Sequence, residues 1–332
     1  MKKKYLKYTY KYNNYYIYKY MNSIQKVNIK KILYDDSPGS SRLEFSIKGE
    51  NINFIIVNTI RRATFKYIPI FSYTNYKFEK NTSIYHNNML KLSFETMPVY
   101  GIKNNYDIYD EIELNKVENL TMYINYVNNE KNNKIITTDD VLFYYQNKSI
   151  QNPYKILPYP ITILKLRENE EINCTIMTTI NCENNNDANI NNSAVSISTY
   201  KEINDNEYNF ILESRGQLSE KRILIVAIKN IVYKLNKILI NVIDPYEYKD
   251  HTIGTIKLKN EEYTMGNLLT DALQDHKNIE YAGYRIEHPL INNIFIDYKT
   301  NNDTHIKIIF KDIVTYYEKL FNSIENTIND NI

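Results

Sequence analysis

Acidic side chains are the groups in this sequence that could hold metal ions for catalysis, but their spacing does not favour that role. Two-metal chemistry needs several carboxylates that converge on one site. The adjacent acidic pairs, Asp35-Asp36 and Asp139-Asp140, are better interpreted as turns, and the remaining aspartates are scattered along the chain. We therefore expect no catalytic residue in this chain.

Histidines and cysteines do not form a metal-binding pattern either. The five histidines have no HExxH spacing. The two cysteines, Cys174 and Cys182, are too few for a disulfide framework or a four-thiolate zinc site. The seven glycines leave little material for phosphate-binding loops. We expect no metal and no cofactor. The histidines are His86, His251, His276, His288 and His305.

Arg61 and Arg62 are the side chains best suited to bind a partner. They follow Asn58 in a segment whose apolar residues have helical spacing, so all three lie on the face opposite the apolar stripe. Arginine forms bidentate, charge-assisted hydrogen bonds with carboxylates, which favours docking on an acidic protein surface. A solvated helix face is the simpler alternative.

Length and charge limit the classes of protein to consider. The chain has 332 residues, which predicts two or three packed units. Its formal net charge of +2 excludes a strongly basic, whole-protein grip on nucleic acid. The longest apolar run, Ile223 to Ile228, is too short to cross a membrane, and the N-terminus lacks the apolar segment of a signal peptide. We therefore expect an intracellular protein without membrane contact.

Lysine and tyrosine dominate residues 1–26, which we interpret as a separate N-terminal extension. Its tyrosines alternate with other residues, a pattern that predicts one or two strands. Stacking aromatic rings with lysines could bind single-stranded nucleic acid, so a nucleic-acid-binding accessory protein is the alternative function. An edge strand is the simpler interpretation. Salt-dependent binding that is lost on deletion of residues 1–25 would favour the alternative.

A strand, a helix and a second strand follow the extension. Leu43, Phe45 and Ile47 alternate with polar residues, which predicts a half-buried strand. The helical segment that carries Asn58 ends before Pro69. From residue 93 to residue 206 short alternating runs are separated by polar clusters, which predicts an inserted β domain. Residues 181–192 are rich in Asn and predict a loop.

Two long helices have heptad spacing and should pack on each other, because an apolar seam needs a covering helix. In the first, the seam steps by four and three residues and ends before Pro245; the second repeats the same steps. The first seam is Leu224, Ile228, Ile231, Leu235, Ile238 and Val242, and the second is Ile306, Phe310, Ile313, Tyr317, Leu320 and Ile324.

The segment before the second seam repeats the segment before the first in order and scale. Ile256 and Leu258 alternate as a strand, a turn follows, and an amphipathic helix places Asn267 where Asn58 lies in the first copy. We therefore expect an α+β chain made of two copies of one module, which form an intramolecular pseudo-dimer. The predicted boundaries are 27–92 plus 207–243 for the first module, 93–206 for the insert and 244–332 for the second module.

Three motifs in the second module resemble one family. They are Tyr263-Thr264-Met265-Gly266-Asn267-Leu268-Leu269, Tyr281-Ala282-Gly283-Tyr284 and His288-Pro289-Leu290. With them, residues 250–300 resemble the eleventh subunit of eukaryotic RNA polymerase II. The segment with Asn58, Arg61 and Arg62 resembles the third subunit and the bacterial α amino-terminal domain. The chain is thus similar to α-like assembly subunits of multisubunit DNA-directed RNA polymerases, fused as in some large nucleocytoplasmic DNA viruses.

The resemblance implies two dimerisation-like modules with a β-rich insert in the first, and a non-catalytic scaffold for a polymerase. It implies that Asn58, Arg61 and Arg62 dock a large subunit, and that Gly266, Asn267, Gly283, His288 and Pro289 have structural roles. Implied partners are the largest and second-largest subunits and small tenth- and twelfth-subunit-like proteins, with DNA and RNA contacted only through the complex. For a viral protein the expected location is host cytoplasm and virion.

The sequence also departs from the family. Many third subunits carry a cysteine zinc loop in the insert, whereas only Cys174 and Cys182 occur here, so we expect no metal. No segment of the sequence resembles the carboxy-terminal DNA-binding domain of bacterial α, so direct promoter contact is not expected.

Overall fold

The computed structural model describes residues 27–37, 41–113, 117, 119–182, 193–241, 247–250, 252–288, 293–301 and 305–332. The predicted extension 1–26, residues 183–192 of the Asn-rich loop, Val242, Pro245 and Pro289 lie outside these ranges.

The described chain is mixed α and β, as predicted. The strands are β1 (Asn28–Asp35), β2 (Arg42–Lys48), β3 (Ile70–Asn81), β4 (Leu120–Val127), β5 (Lys134–Thr137), β6 (Leu142–Tyr145), β7 (Lys148–Ile150), β8 (Thr162–Leu166), β9 (Glu171–Asn181), β10 (Val195–Asn204), β11 (Glu207–Ser214), β12 (Glu247–Asp250), β13 (Ile253–Lys259), β14 (Ile279–Arg285) and β15 (Asn293–Thr300). The helices are α1 (Phe54–Lys66), α2 (Asn87–Thr96), α3 (Glu220–Asn241), α4 (Tyr263–Asp275) and α5 (Ile306–Asn331).

The first sheet is antiparallel, with the strand order β1-β2-β11-β10. Leu43, Phe45 and Ile47 of β2 are buried in alternation, as their spacing predicts. Asn53 caps α1, because its side-chain oxygen accepts a hydrogen bond from the amide of Ile56 at 2.9 Å. We call this sheet with α1 and α3 the N-terminal unit.

The second sheet has the order β12-β13-β15-β14 and is also antiparallel. Its connections match those of the first sheet strand for strand. With α4 and α5 it forms what we call the C-terminal unit. Helices α1 and α4 have 13 residues each, so their positions correspond from the first residue onward. Asn58 and Asn267 are both the fifth residue of their helix.

A third set of strands forms an intervening β region between β2 and β10. Its sheets have the orders β3-β9-β4-β6-β7 and β5-β8. Apolar residues of these strands and of α2 form a core of their own, separate from the core of the two units. This region therefore packs as a distinct body on the chain.

The strand pairing moves the edges of this region away from the predicted boundaries at residues 93 and 206. Strand β3, placed in the first module by prediction, pairs along its length with β9 of the intervening region. Strand β10, placed in the insert, pairs with β11 of the first sheet. A run of alternating residues shows that a strand forms but not which strand it pairs with, because the partner is distant in sequence.

The two long helices bury their heptad positions. Within the described residues, every position of the two predicted seams is buried. Helices α3 and α5 pack along each other, and Lys221 near the start of α3 donates to the Asn329 carbonyl near the end of α5 at 2.9 Å. The two helices are therefore antiparallel.

The two units share one apolar core. Phe45 and Val57 of the N-terminal unit and Ile324 and Ile328 of the C-terminal unit line the same small apolar cavity. Helix α3 also buries Val226 and other residues outside its seam. The buried stripe is wider than a two-helix seam because each long helix covers its own sheet as well as the other helix.

Among the described residues, no helix is both long and apolar enough to cross a membrane.

Two isoleucines of α3 provide a test of the shared core. Ile228 is fully buried, whereas Ile240 is 66% exposed on the same helix. We expect Ile228→Ala to lower the free energy of unfolding by about 2–5 kcal/mol, because it leaves a cavity in the core. Ile240→Ala should change it by less than about 0.5 kcal/mol. Urea titration followed by circular dichroism measures both; equal effects would contradict the packing.

Candidate protein-pairing and docking interface

Helices α1 and α4 cross in opposite directions and contact each other through polar side chains. At one end, the side-chain amide of Asn53 donates to Asp271 Oδ2 at 3.2 Å. At the other end, Lys66 Nζ lies 2.7 Å from Glu262 Oε2. Glu262 is the N-cap residue of α4, so the cation also meets the terminus of that helix.

Arg62 belongs to this contact between units. Its Nε donates to Thr264 Oγ1 at 2.6 Å, and its Nη2 lies 3.8 Å from Glu262 Oε2. The expected pair of outward-facing arginines is therefore divided. Arg62 contacts the C-terminal unit, whereas Arg61 Nε donates to Asn58 Oδ1 of its own helix at 3.0 Å.

A buried ion pair lies beside this contact. Lys234 of α3 lies 3.2 and 3.3 Å from the two carboxylate oxygens of Glu261, in the turn before α4. Their side chains are only 9% and 10% exposed. The ammonium also lies 4.6 Å from the ring centre of Tyr67, a cation–π distance. Burial raises the pKa of the Glu261 carboxyl, and Lys234 opposes that shift.

The second long helix makes a comparable contact with the N-terminal unit. Tyr316 of α5 accepts a hydrogen bond from the side-chain amide of Asn51 at 3.2 Å, in the turn before α1. Its neighbour Tyr317, a predicted seam residue, donates to the Leu268 carbonyl at 3.0 Å. Each long helix thus contacts the turn that precedes the short helix of the other unit.

Two carboxyls of α4 lie in this region in an unfavourable environment. Burial raises the pKa of Asp271, which is opposed by the hydrogen bond from Asn53. Burial, and the charge of Asp271, raise the pKa of Asp275 to about 6. Both groups therefore resist ionisation where the two units meet.

The outer faces of α1 and α4 carry aromatic residues at matching positions. Phe54 and Tyr263 are the first residues of the two helices, and they are 56% and 54% exposed. Asn58 and Asn267, one turn later, are half-buried. Sequence reasoning did not single out Phe54 and named Tyr263 only within a family motif, although their matching places in the repeat were a signal that could have assigned both to one kind of face.

Sequence reasoning also missed the segment 104–113, which lies against α3 and which we call the strap. Asp107 is bonded to Arg222 and lies 2.8 Å from Lys229 Nζ, and Asp110 lies 2.6 Å from Lys237 Nζ. The three cations lie along one side of α3. The strap therefore ties the intervening β region to the long helix of the N-terminal unit.

The family-motif residues of the C-terminal unit differ in their surroundings. Gly266 is buried, and a Cβ atom there would lie 2.7 Å from Ile294 Cδ1 of β15, so the glycine permits close packing of helix on sheet. At Gly283 a Cβ would meet the hydroxyl of Tyr281 at 2.6 Å, the movable end of an exposed side chain. His288 is exposed, and Pro289 lies outside the described residues.

The two cysteines differ in their relation to this interface. Cys174 is buried in the core of the intervening β region, where burial raises the pKa of its thiol to about 12. Cys182 donates to the Lys66 carbonyl at 3.3 Å. In the described ranges, no group of three or more His, Cys, Asp or Glu side chains is placed to hold a metal ion.

Comparison with known proteins identifies similar chains. The RNA polymerase Rpb3/Rpb11 dimerisation domain matches residues 249–327. A DNA-directed RNA polymerase subunit assigned in Acanthamoeba polyphaga mimivirus is 26% identical over 326 residues, which covers 86% of this chain and 90% of that protein.

Two shorter similarities are to eleventh-type subunits. DNA-directed RNA polymerase II subunit rpb11 of Dictyostelium discoideum is 36% identical over 67 residues, 20% of this chain and 56% of that protein. DNA-directed RNA polymerase subunit Rpo11 of Thermococcus kodakarensis is 46% identical over 33 residues, 10% of this chain and 35% of that protein. The predicted resemblance to an α-like subunit of a viral RNA polymerase is confirmed.

The buried ion pair leads to a prediction about pH. Lys234→Met should lower the free energy of unfolding by about 3–5 kcal/mol, because it leaves the Glu261 carboxylate buried without its cation. It should also raise the pKa of Glu261 further. When a carboxyl has a higher pKa in the folded than in the unfolded protein, the folded protein loses stability as pH rises. The loss begins at the unfolded-state pKa and is complete above the folded-state pKa. The variant should therefore lose more stability than the parent as pH rises above about 4.5, the ordinary pKa of a glutamate.

A second substitution and a control make this test specific. Adding Glu261→Gln should remove the extra pH dependence, because no charge remains to bury. Lys229→Met, on the same helix but paired with Asp107, which keeps its contact with Arg222, should leave the profile near that of the parent. Denaturant midpoints measured across the pH range decide; parallel profiles for Lys234→Met and the parent would contradict the prediction.

Gly266 provides a separate test of the contact between α4 and β15. Gly266→Ala should destabilise the protein by about 1–3 kcal/mol, because its Cβ meets Ile294. Ile294→Val removes the clashing Cδ1 atom, so the double variant should be less destabilised than the sum of the two single variants. Thermal unfolding measures the four proteins. Strictly additive losses would rule out the clash, and Gly283→Ala serves as the control with a movable neighbour.

Proposed function

We propose that this chain is a non-catalytic scaffold subunit of a multisubunit DNA-directed RNA polymerase. In this role its two α-like units pair with each other and dock the two largest subunits during assembly. The observation that carries the proposal is the extent of the mimivirus similarity, which covers 86% of this chain and is not confined to the dimerisation domain. An assembly role for the whole chain therefore accounts for the similarity outside the C-terminal unit, which a role for that unit alone does not.

The shared core supports the pairing step. Residues of both units belong to one continuous set of buried apolar side chains, and both long helices contribute to it. Because the units are joined in one chain, their pairing is intramolecular and takes place at an effective concentration on the order of millimolar. A fused scaffold of this kind would not dissociate on dilution.

The outer faces of the two short helices support the docking step. Each begins with an exposed aromatic residue, Phe54 or Tyr263, followed one turn later by an asparagine. Aromatic residues and arginine are the commonest anchors of protein interfaces. Two similar faces suit a scaffold that holds two large partners, and Arg61 adds a cation held by Asn58 to the first face.

We assign the catalytic carboxylates and metal ions of the polymerase to the large partner subunits. The proposed partners are the largest and second-largest subunits and small tenth- and twelfth-subunit-like proteins, with nucleic acid reached only through the complex. The viral relative supports host cytoplasm and the virion as the proposed locations.

Affinity purification of the tagged chain from the cells in which it is expressed with its native partners tests this function. The scaffold role requires recovery in equal amounts with two very large subunits. Recovery as a monomer without them would overturn it. Salt-sensitive binding of nucleic acid by the purified monomer, lost on deletion of residues 1–25, would instead favour the alternative function.

Arg61 is the better residue for testing the docking face, because Arg62 also contacts the C-terminal unit. We expect Arg61→Glu to reduce recovery of the large subunits at least ~10-fold. The substitution replaces a guanidinium, which can bind a carboxylate of the partner through two hydrogen bonds, with a carboxylate that repels it. Its unfolding midpoint should stay near that of the parent. Arg167→Glu, at an exposed turn of the intervening β region, is the matched control. Unchanged recovery with Arg61→Glu would contradict the docking role of this face.

A further inference from the structure

The charges on α1 and α4 differ in sign where the two helices meet. We propose that this difference selects pairing between unlike units and disfavours pairing between two copies of the same unit. The inference rests on the proposed pairing of the two halves and names the side chains that direct it: Arg62, Lys66 and Lys234 on one unit, with Glu261, Glu262, Asp271 and Asp275 on the other.

The contact between the helices has the pattern expected around a twofold axis. Asn53 and Glu262 are the N-cap residues of α1 and α4, and Arg62 and Asp271 are both the ninth residue of their helix. Asn53 contacts Asp271, and Arg62 lies near Glu262. The N-cap of each helix thus meets the ninth residue of the other, as it would in a symmetric dimer.

The side chains at these matching places are not symmetric in charge. Arg62 of α1 corresponds to Asp271 of α4, and Lys66 corresponds to Asp275. Ile52 of the N-terminal unit corresponds to Glu261 of the C-terminal unit. One unit therefore brings cations to the contact, and the other brings carboxylates.

Pairing between two N-terminal units would leave these cations without carboxylates. Arg62 and Lys66 of one copy would meet Asn53 of the other in place of Glu262. Lys234, now paired with Glu261 at 3.2 Å, would meet Ile52. A buried ammonium without a counter-charge is strongly disfavoured, because neither water nor a carboxylate compensates for its lost hydration.

Pairing between two C-terminal units would bring carboxylates together. Glu262 of one copy would meet Asp271 and Asp275 of the other, in a region where burial already disfavours their ionisation. Like charges at an interface suppress incorrect partners more strongly than opposite charges strengthen correct ones. Apolar contacts carry no charge and therefore add no repulsion of this kind.

The covalent link and the charges act on different competitors. The link raises the local concentration of the unlike unit, which favours closure within one chain. It does not change the relative affinities of like and unlike units when two chains meet. The charge difference does change these relative affinities. Chains that fold at high concentration therefore form fewer assemblies joined through like units.

Full-length charge-reversal variants test the inference. The double change Arg62→Glu with Lys66→Glu places two carboxylates next to the carboxylate of Glu262. The separate change Glu262→Lys places an ammonium next to the two original cations. Each change should lower the folding equilibrium constant on the order of tenfold, and the chain that carries both should recover most of the loss. After refolding at high concentration, each reversed variant should form more dimers and larger species than the parent. The combined variant should be monomeric like the parent.

Reversal of the pair Lys48 and Glu207, 2.9 Å apart within the first sheet, is the control and should not change the oligomeric state. Unfolding curves and analytical ultracentrifugation provide the two measurements. Additive losses in the combined variant, or refolded single variants that are as monomeric as the parent, would overturn the inference. Because no polymerase partner is present, this outcome is independent of co-purification with the large subunits.

Discussion

Burial of one apolar core by two units is the constraint on which the rest of the structure depends. Each unit has a four-stranded sheet and two amphipathic helices, and a layer of that size cannot cover its own apolar face. The long helices α3 and α5 fill the space between the sheets, and residues such as Ile324 contact the core of the opposite unit. The fold of each unit is therefore completed by the other, and the polar contacts are arranged around this core.

The polar contacts at the edge of the core fix its geometry. A large apolar interface tolerates small shifts, because dispersion and hydrophobic contacts have little directional preference. The pair of Lys234 with Glu261 and the contact of Lys66 with Glu262 are directional. The first pair is buried, so an unpaired partner there is costly. They fix how far α1 and α4 slide along each other. Burial of charge is thus a source of positional order at some cost in stability.

Local patterns in the sequence predicted much of the fold. Alternation at Leu43, Phe45 and Ile47 predicted β2, heptad spacing predicted the buried positions of α3 and α5, and the matching places of Asn58 and Asn267 revealed the repeat. Each of these patterns depends on residues close together in the chain. The partner of β3, the contact of Arg62 with Thr264 and the strap on α3 depend on distant residues, so periodicity could not reveal them. At the candidate interface, the two arginines were predicted as one pair. Their division, with Arg62 bonded to the C-terminal unit and Arg61 to Asn58 of its own helix, was not.

The order of the two units along one polypeptide has a consequence for protein synthesis. The short segment 242–246 separates α3 from β12, so the ribosome makes both units in equal numbers and no unit accumulates without its counterpart. The N-terminal unit leaves the ribosome first and waits for the C-terminal unit during the synthesis of residues 247–331. At roughly 5–20 residues per second this delay lasts about 4–17 seconds. For that interval the apolar face that the C-terminal unit covers in the folded chain remains without that cover.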